Sequence, residues 1–331
     1  MKKRILTGDR PTGKLHLGHY VGSLKNRVKL QHEYDTFLIV ADVQALTTNW
    51  ETPEQLEHDV REVTKDNLAV GIDPNVATIF VQSMVPQIAE LTIFYSMFVP
   101  VNVLRHNPTI KTEAAQKGYT DLTYGFLGYP VSQAADITFC KAHLVPVGKD
   151  QAPHLELTRR IVRRFNELYA EVLVEPESME QGVLMGLDGN AKMSKSLDNA
   201  IYLADPADEV LRKVKTAVTD PARIRKDDPG HPEVCTVYAY QKEFNPKFVC
   251  ELDGACRRGE IGCVECKKRL AAALNVILDP IREKRAYYDE HPDVVDDILK
   301  AGTQRAIEVG AATLAEVKEA MKIRYFTQEG V

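Results

Sequence analysis

Two short runs in this chain carry residue types suited to phosphate chemistry. Pro11-Thr12-Gly13-Lys14-Leu15-His16-Leu17-Gly18-His19 stands near the N-terminus, and Lys192-Met193-Ser194-Lys195-Ser196 follows much later. The first run comes after a β-rich stretch, Arg4 to Gly8, and opens a helical pattern from His19 to Leu30. A strand, a glycine-containing turn and a helix N-terminus make an anion site, because unpaired backbone N–H groups and the helix dipole point at the ligand. His16 and His19 add two imidazoles that can donate hydrogen bonds to a polyphosphate. The second run reads as a loop with two ammonium groups, Lys192 and Lys195, and two hydroxyls. Such a loop can close over a polyphosphate and neutralise charge as it moves. A lone H-x-x-H reads as a helix start without chemistry; with the lysine loop present, the two runs point to one site.

The elements that must hold these runs follow from hydrophobic patterning. Short apolar runs at Arg4 to Thr7, Thr36 to Ala41, Thr78 to Val81 and Leu144 to Val147, each bounded by turn signals, read as buried parallel strands. Helical patterns lie between and after them: His19 to Leu30, Pro53 to Val70, Ile88 to Phe98 and Gln151 to Tyr169. Thr52 before Pro53 reads as an N-cap and Gly71 as a C-cap. The alternation predicts an α/β fold with a doubly wound, Rossmann-like parallel sheet. Gly148, Lys149 and Asp150 then fall at the C-terminal end of a strand, where ligands bind in open sheets. Beyond Asp205 strand candidates cease. Asp208 to Thr219, Lys268 to Tyr288, Val294 to Glu308 and Leu314 to Met321 read as helices, and Asp220 to Pro232 as a loop. The expected division is a catalytic domain over residues 1–204 and a helical domain over 205–331.

Bulk properties narrow the class. The chain has 331 residues, 44% hydrophobic and 27% charged, as ordinary globular proteins do. No apolar run approaches the roughly 20 residues that span a bilayer, so no membrane is expected. Met1-Lys2-Lys3-Arg4 leads straight into a core strand rather than a signal sequence, which makes the cytoplasm the expected location. The formal net charge of −5 excludes a globally basic nucleic-acid binder. RNA contact would need local patches, such as Arg159, Arg160, Arg163 and Arg164, or Arg223, Arg225 and Lys226, or Arg257, Arg258, Lys267, Lys268 and Arg269.

The two runs resemble the HIGH and KMSKS signatures of class I aminoacyl-tRNA synthetases, the second without a substitution. Three further segments resemble the tryptophanyl-tRNA synthetases. These are Gly8-Asp9-Arg10-Pro11-Thr12-Gly13, Tyr129-Pro130-Val131-Ser132-Gln133-Ala134-Ala135-Asp136-Ile137, and Val145 to Gln151 followed by His154-Leu155-Glu156-Leu157-Thr158-Arg159. The resemblance covers nearly the whole chain and is weakest between about Pro221 and Lys268. It implies a ligase that activates tryptophan with ATP and Mg²⁺, transfers it to tRNA(Trp) and works as a homodimer. His16, His19, Lys192 and Lys195 are then the catalytic residues. Arg10, Pro11, Thr12, Gly18, Gly148, Lys149, Asp150, Met193, Ser194 and Ser196 join them in holding ATP. Gly18 is expected to be small so that the nucleoside can lie on the backbone.

The same resemblance places tryptophan against Gly8, Tyr129, Gln133, Asp136, Val147 and Gln151. Asp136 is the expected reader of the indole N–H, a donor-only group that suits a buried carboxylate. Two departures stand out. Gln133 replaces a more usual methionine and resembles the tyrosyl enzymes, and Arg10 replaces a glutamine. Lys111 and Lys117 lie in a polar stretch that could reach phosphate.

Five of the six cysteines lie between Cys235 and Cys266. In a reducing compartment four thiols in so short a region suggest a metal site rather than disulfides. Spacing alone leaves zinc and iron–sulfur open. Some tryptophanyl-tRNA synthetases carry a 4Fe–4S cluster on one distant cysteine followed by C-x₆-C-x₂-C. Cys256, Cys263 and Cys266 match the last three positions, and Cys235 stands for the first at a slightly shorter gap. The resemblance therefore implies a 4Fe–4S cluster, with Zn²⁺ as the alternative. Cys250 is then an extra thiol and Cys140 a core residue.

Overall fold

The computed structural model describes residues 2–148 and 151–325. Five parallel strands form one sheet in the order β3-β2-β1-β4-β5. They are β1 (Arg4–Asp9), β2 (Asp35–Val40), β3 (Ala77–Val81), β4 (Leu144–Val147) and β5 (Glu177–Glu180). The chain builds outward from β1 through β2 to β3, then returns to the opposite side of β1 as β4. The carboxyl ends of β1 and β4 therefore flank the switch point where open sheets bind ligands. The strands lie close along β1: a Cβ on Gly8 would meet the Ile39 carbonyl oxygen at 2.1 Å, so only glycine fits there.

The first four strands match the apolar runs; β5 carries no such signal. The pattern expected from His19 begins earlier, as a helical turn Leu17–His19. It continues through a π-helical segment Tyr20–Leu24 into the helix Lys25–Leu30. Gly71, with φ +116°, ends the helix Leu56–Val70 as expected. Thr52, by contrast, makes no side-chain cap bond, and a 3₁₀ turn Pro53–Gln55 leads in instead. Helices unforeseen in the sequence fill the insertion between β3 and β4, notably Pro108–Lys117 and Tyr124–Thr138.

Beyond Glu180 the described residues form no further strand. The two last expected helices are one, Pro292–Ala320. It lies on β3: a Cβ on Gly302 would meet the Ile79 carbonyl oxygen at 1.9 Å, and Thr303 Oγ1 accepts the Val81 N–H at 3.2 Å. The preceding helix, Cys263–Glu290, packs on Leu56–Val70. The C-terminal helices thus close over the sheet edge rather than standing apart from it. Among the described residues no helix is long and apolar enough to cross a membrane.

Candidate active site

The turn after β1 carries the first signature. Gly13 has φ +95°, a conformation side-chain-bearing residues rarely adopt, and lets the chain double back into the helix. His16 caps that helix. Its Nδ1 accepts the Gly18 N–H at 3.1 Å, and His19 Nδ1 accepts the His16 N–H at 3.2 Å. With both Nδ1 atoms used as acceptors, the proton of each neutral ring belongs on Nε2, which remains a donor. Burial holds both imidazoles neutral, His16 down to about 2 and His19 down to about 4; neighbouring cations push the same way, while Asp9 opposes the shift at His19. Gly18 has a structural reason to be small, because an added Cβ would meet the His16 ring at 2.9 Å and Met193 Cβ at 3.1 Å.

The second signature rests on the first. Met193 is buried, with its sulfur 3.2 Å from the Gly18 nitrogen, and Ser194 N–H donates to Asn199 Oδ1 at 2.8 Å. These anchor the loop, while Lys192 and Ser196 stay exposed. Lys195 reaches across and donates to the Gly13 carbonyl at 2.7 Å and the Thr12 carbonyl at 3.1 Å. Burial lowers its pKa, and Asp59, Asp66 and Asp9 oppose that shift.

A cavity of about 270 Å³ opens at the ends of β1 and β4. Gly8, Arg10, His19, Gln133, Asp136, Val147, Gly148 and Gln151 all line it. Asp9, also on its wall, is fixed by Arg27 at 3.0 Å and by Asn67 at 3.1 Å. Burial would raise the Asp9 pKa, but the Arg27 charge and hydrogen bonds outweigh it and hold the carboxyl low. Tyr129 lines a neighbouring apolar groove of about 420 Å³, which shares Gln44 with the first. Pro11 and Thr12 sit in the turn itself; Lys149 and Asp150 lie outside the described residues. Lys111 and Lys117 fall on the helix Pro108–Lys117.

Asp136 is wholly buried, and Gln82 Nε2 donates to both its oxygens, at 2.8 and 3.0 Å. Gln82 is itself held, its Oε1 accepting the Gln44 N–H at 3.1 Å. Sequence reading missed Gln82, because nothing local marks a residue 54 positions from its partner. Burial pushes the Asp136 carboxyl up to about 7, Gln82 pulls it down, and Asp42 pushes it up further. An N–H donor entering the cavity would meet an acceptor poised at neutral pH.

The cysteine expectation fares differently. Cys235, Cys256, Cys263 and Cys266 do come near one another. Burial raises the Cys256 thiol, and Cys235 and Cys263 raise it further against Arg223. Burial pushes Cys266 up to about 11, with the other three adding to the shift. Two sulfurs receive N–H donors, Cys256 from Arg223 at 3.6 Å and Cys266 from Gln241 at 3.6 Å. Yet among the described residues no three His, Cys, Asp or Glu side chains gather tightly enough to hold a metal ion. The four cysteines thus share a neighbourhood without forming a tight ligand shell among the described residues. Cys140 is buried, as expected of a core residue, and Cys250 is exposed.

The basic runs also change meaning. Arg223 is a structural tie, donating to the Lys226 and Ile261 carbonyls. Arg163, Arg257, Arg258 and Arg269 pair with neighbouring acids, which leaves less free positive charge than the sequence suggested.

Comparison with known proteins gives a consistent picture. Residues 1–279 match the family model described as tRNA synthetases class I (W and Y). The chain is 49% identical to the tryptophan–tRNA ligase of Streptococcus pneumoniae over 98% of its own length and 99% of the relative. It is 50% identical to that of Clostridium longisporum, over 98% of each chain. Among solved structures it resembles the tryptophanyl-tRNA synthetase of Campylobacter jejuni in complex with ADP and tryptophan. The TM-score is 0.86 at 30% identity, covering 96% of this chain and 99% of that one.

Proposed function

The chain belongs to the class I tRNA synthetases for tryptophan and tyrosine, and from that premise we infer that it is a tryptophan–tRNA ligase. It activates L-tryptophan with ATP, releasing pyrophosphate, and transfers the amino acid to tRNA(Trp). The observation that carries this reading is one convergence at the end of the sheet. Two neutral imidazoles and a docked lysine ammonium stand beside a cavity that reaches the buried Asp136. Aminoacylation of tRNA, with tryptophan and tyrosine offered in parallel, tests it. Charging with tryptophan alone is the expected result.

The chemistry asks for positioning and charge neutralisation more than for a base. Tryptophan's carboxylate attacks the α-phosphorus, the bond to pyrophosphate breaks, and negative charge grows on the leaving phosphates. In this reading His16 and His19 donate their Nε2–H groups to the phosphates, and Lys192 and Lys195 take up the growing charge. Gly18, the Arg10–Thr12 turn, Gly148, Lys149, Asp150 and the loop residues Met193, Ser194 and Ser196 cradle ATP. Mg²⁺ fits here as an ion carried by the ATP phosphates, in keeping with its preference for phosphate and water ligands. The tRNA terminal ribose then attacks the adenylate.

Asp136 reads the indole N–H, while Gly8, Val147, Gln133, Gln151 and Tyr129 surround the rest of the substrate. The pH consequence has a definite sign. A carboxyl raised to about 7 is protonated below that pH, and the ionised form is the stronger acceptor, so tryptophan binding weakens as pH falls from 8 to 6. KM for tryptophan in ATP–pyrophosphate exchange should rise over that range, and Asp136→Asn should flatten the profile. Asp136→Ala should weaken binding by about 1.5–3 kcal/mol, measured by calorimetry. A wild-type KM independent of pH would assign the indole to another group.

An exposed apolar face on the β3–β4 insertion, with Ile93, Met97, Val101 and Tyr124, supports a homodimer. Residues 1–204 serve as the catalytic unit and 205–331 as the tRNA anticodon-binding part, in the cytoplasm. The vicinity of four thiols, with N–H donors on two sulfurs, supports a metal centre on Cys235, Cys256, Cys263 and Cys266, 4Fe–4S in preference to Zn²⁺. Its part would be structural, fixing the region that meets RNA. Cys263→Ser should then impair tRNA charging far more than pyrophosphate exchange. Anaerobically purified protein should be brown, with about four irons per chain. Metal-free protein with full charging activity would make these cysteines ordinary packing residues.

A further inference from the structure

An amino-acid substrate presents a cation and an anion on one carbon, and a site that accepts it must answer both without leaving a charge unpaired. Arg10 on the wall of the cavity belongs to an ion pair whose acid, Glu113, stands behind it. Arg10 Nη2 stands 3.6 Å from Glu113 Oε1, with the two side chains 32% and 22% exposed. The guanidinium carbon lies 5.5 Å from the centre of the Tyr129 ring. Glu113 Oε2 accepts the Tyr129 hydroxyl at 3.0 Å, and that hydroxyl also meets His154 Nε2 at 2.7 Å. Burial, followed by the Glu113 charge, raises the Tyr129 pKa, so the phenol stays neutral and Glu113 alone answers Arg10. One turn along the same helix, Gln133 Oε1 is buried and has no hydrogen-bond partner among the described residues. That oxygen is an acceptor waiting for a donor.

The arrangement has a direction. Tyr129, Gln133 and Asp136 follow one another on the helix Tyr124–Thr138, spaced to share a face. If the indole lies at Asp136, the amino-acid head lies toward Gln133 and the Arg10–Glu113 pair. A part-exposed ion pair 3.6 Å apart is weakly held and readily exchanged.

We propose that Arg10 and Glu113 form a clamp for the zwitterionic head of the amino acid. The guanidinium takes the α-carboxylate. Glu113, assisted by the Gln133 side-chain oxygen, takes the α-ammonium. The two hold each other; when the amino acid binds, each exchanges its partner for the matching charge of the substrate, so no charge is left alone at either stage. The clamp rests on the reading of this cavity as the tryptophan site. Glu113 lies outside every motif, and Arg10 is a departure from the usual residue, so this head-group recognition is a property of this chain's own residues.

The test uses the whole enzyme in ATP–pyrophosphate exchange, with two competitive inhibitors that each keep half of the head. Tryptamine has the ammonium only, and indole-3-propionate the carboxylate only. Glu113→Gln should raise KM for tryptophan and Ki for tryptamine about ten- to hundredfold, the scale of one hydrogen bond to a charged group. It should leave indole-3-propionate unchanged or tighter. Arg10→Gln should do the reverse, weakening indole-3-propionate and sparing tryptamine. In the double variant both inhibitors should be weak. A pair that only stabilises the fold predicts something else: both inhibitors shift together in each single variant, and the second substitution adds little. That result would overturn the clamp while leaving tryptophan as the substrate. Wild-type enzyme that exchanges pyrophosphate without regard to tryptophan would overturn the underlying reading, and the clamp with it.

Discussion

Lys195→Ala should lower the rate of ATP–pyrophosphate exchange by about 10²–10³ while leaving tryptophan affinity nearly unchanged, because a lysine on the departing phosphates acts where charge develops rather than where the amino acid binds. The structure gives the loop the properties this needs. Met193 and Asn199 pin it from below, so the substitution should not release it. The Lys195 ammonium rests on the carbonyls of Thr12 and Gly13, and Asp59 lies close by. These are the backbone groups of the turn that should receive the phosphates. Moving the ammonium from neutral carbonyl oxygens to growing phosphate charge strengthens its contact as the reaction proceeds, which is the condition for lowering a barrier rather than only tightening binding. Exchange kinetics read the rate and calorimetry reads tryptophan affinity. Loss of both together would recast the lysine as a binding or structural residue. Exchange at the wild-type rate would remove the loop from catalysis.

What could be read in the sequence and what could not divides along physical lines. β1 to β4 are legible because each is a buried apolar run. β5 is not, because Glu177–Glu180 is a largely exposed edge strand without an apolar face. The helix Tyr124–Thr138 was legible as a motif but not as a helix. It is apolar through much of its length and carries Pro130 inside, which removes the one-sided period that marks an amphipathic helix. The site residues that lie in signatures were legible, since the spacing itself is the signal. Gln82, Glu113 and Arg285 were not. Each acts on a partner far away in sequence, and only the packing of the insertion and the C-terminal helices brings them into reach. The cysteines show the converse: their spacing foretold one shared neighbourhood, but a tight ligand shell among the described residues does not follow from spacing alone.

Arg285 is where the C-terminal helices join the first signature, and its removal should be the most damaging single change to stability. It is buried on the helix Cys263–Glu290 and bonds through Nη2 to Glu62 Oε2 and through Nη1 to Asp66 Oδ1. The other oxygen of Asp66 accepts the backbone N–H of Leu15 at 2.6 Å, inside the phosphate-binding turn. Burial pushes Asp66 up to about 6, while Arg285 and the Leu15 N–H pull it down, so it is ionised at pH 7. Arg285→Ala leaves the buried Asp66 without its cation and Glu62 with Lys65 alone, a change that costs about 3–5 kcal/mol. Denaturant unfolding measures it, with Arg285→Met separating lost charge from lost volume. The sign of the pH dependence identifies the cause. Without Arg285 the Asp66 pKa moves higher still above its unfolded value. The folded state then binds more protons than the unfolded one, and stability falls as pH rises through the folded pKa. The deficit of the variant should therefore be smaller at pH 5 than at pH 8. Because Asp66 also holds Leu15, exchange activity should fall even where the variant remains folded. An equal deficit at both pH values, or a variant as stable as the wild type, would show that the carboxylates are not held by this arginine.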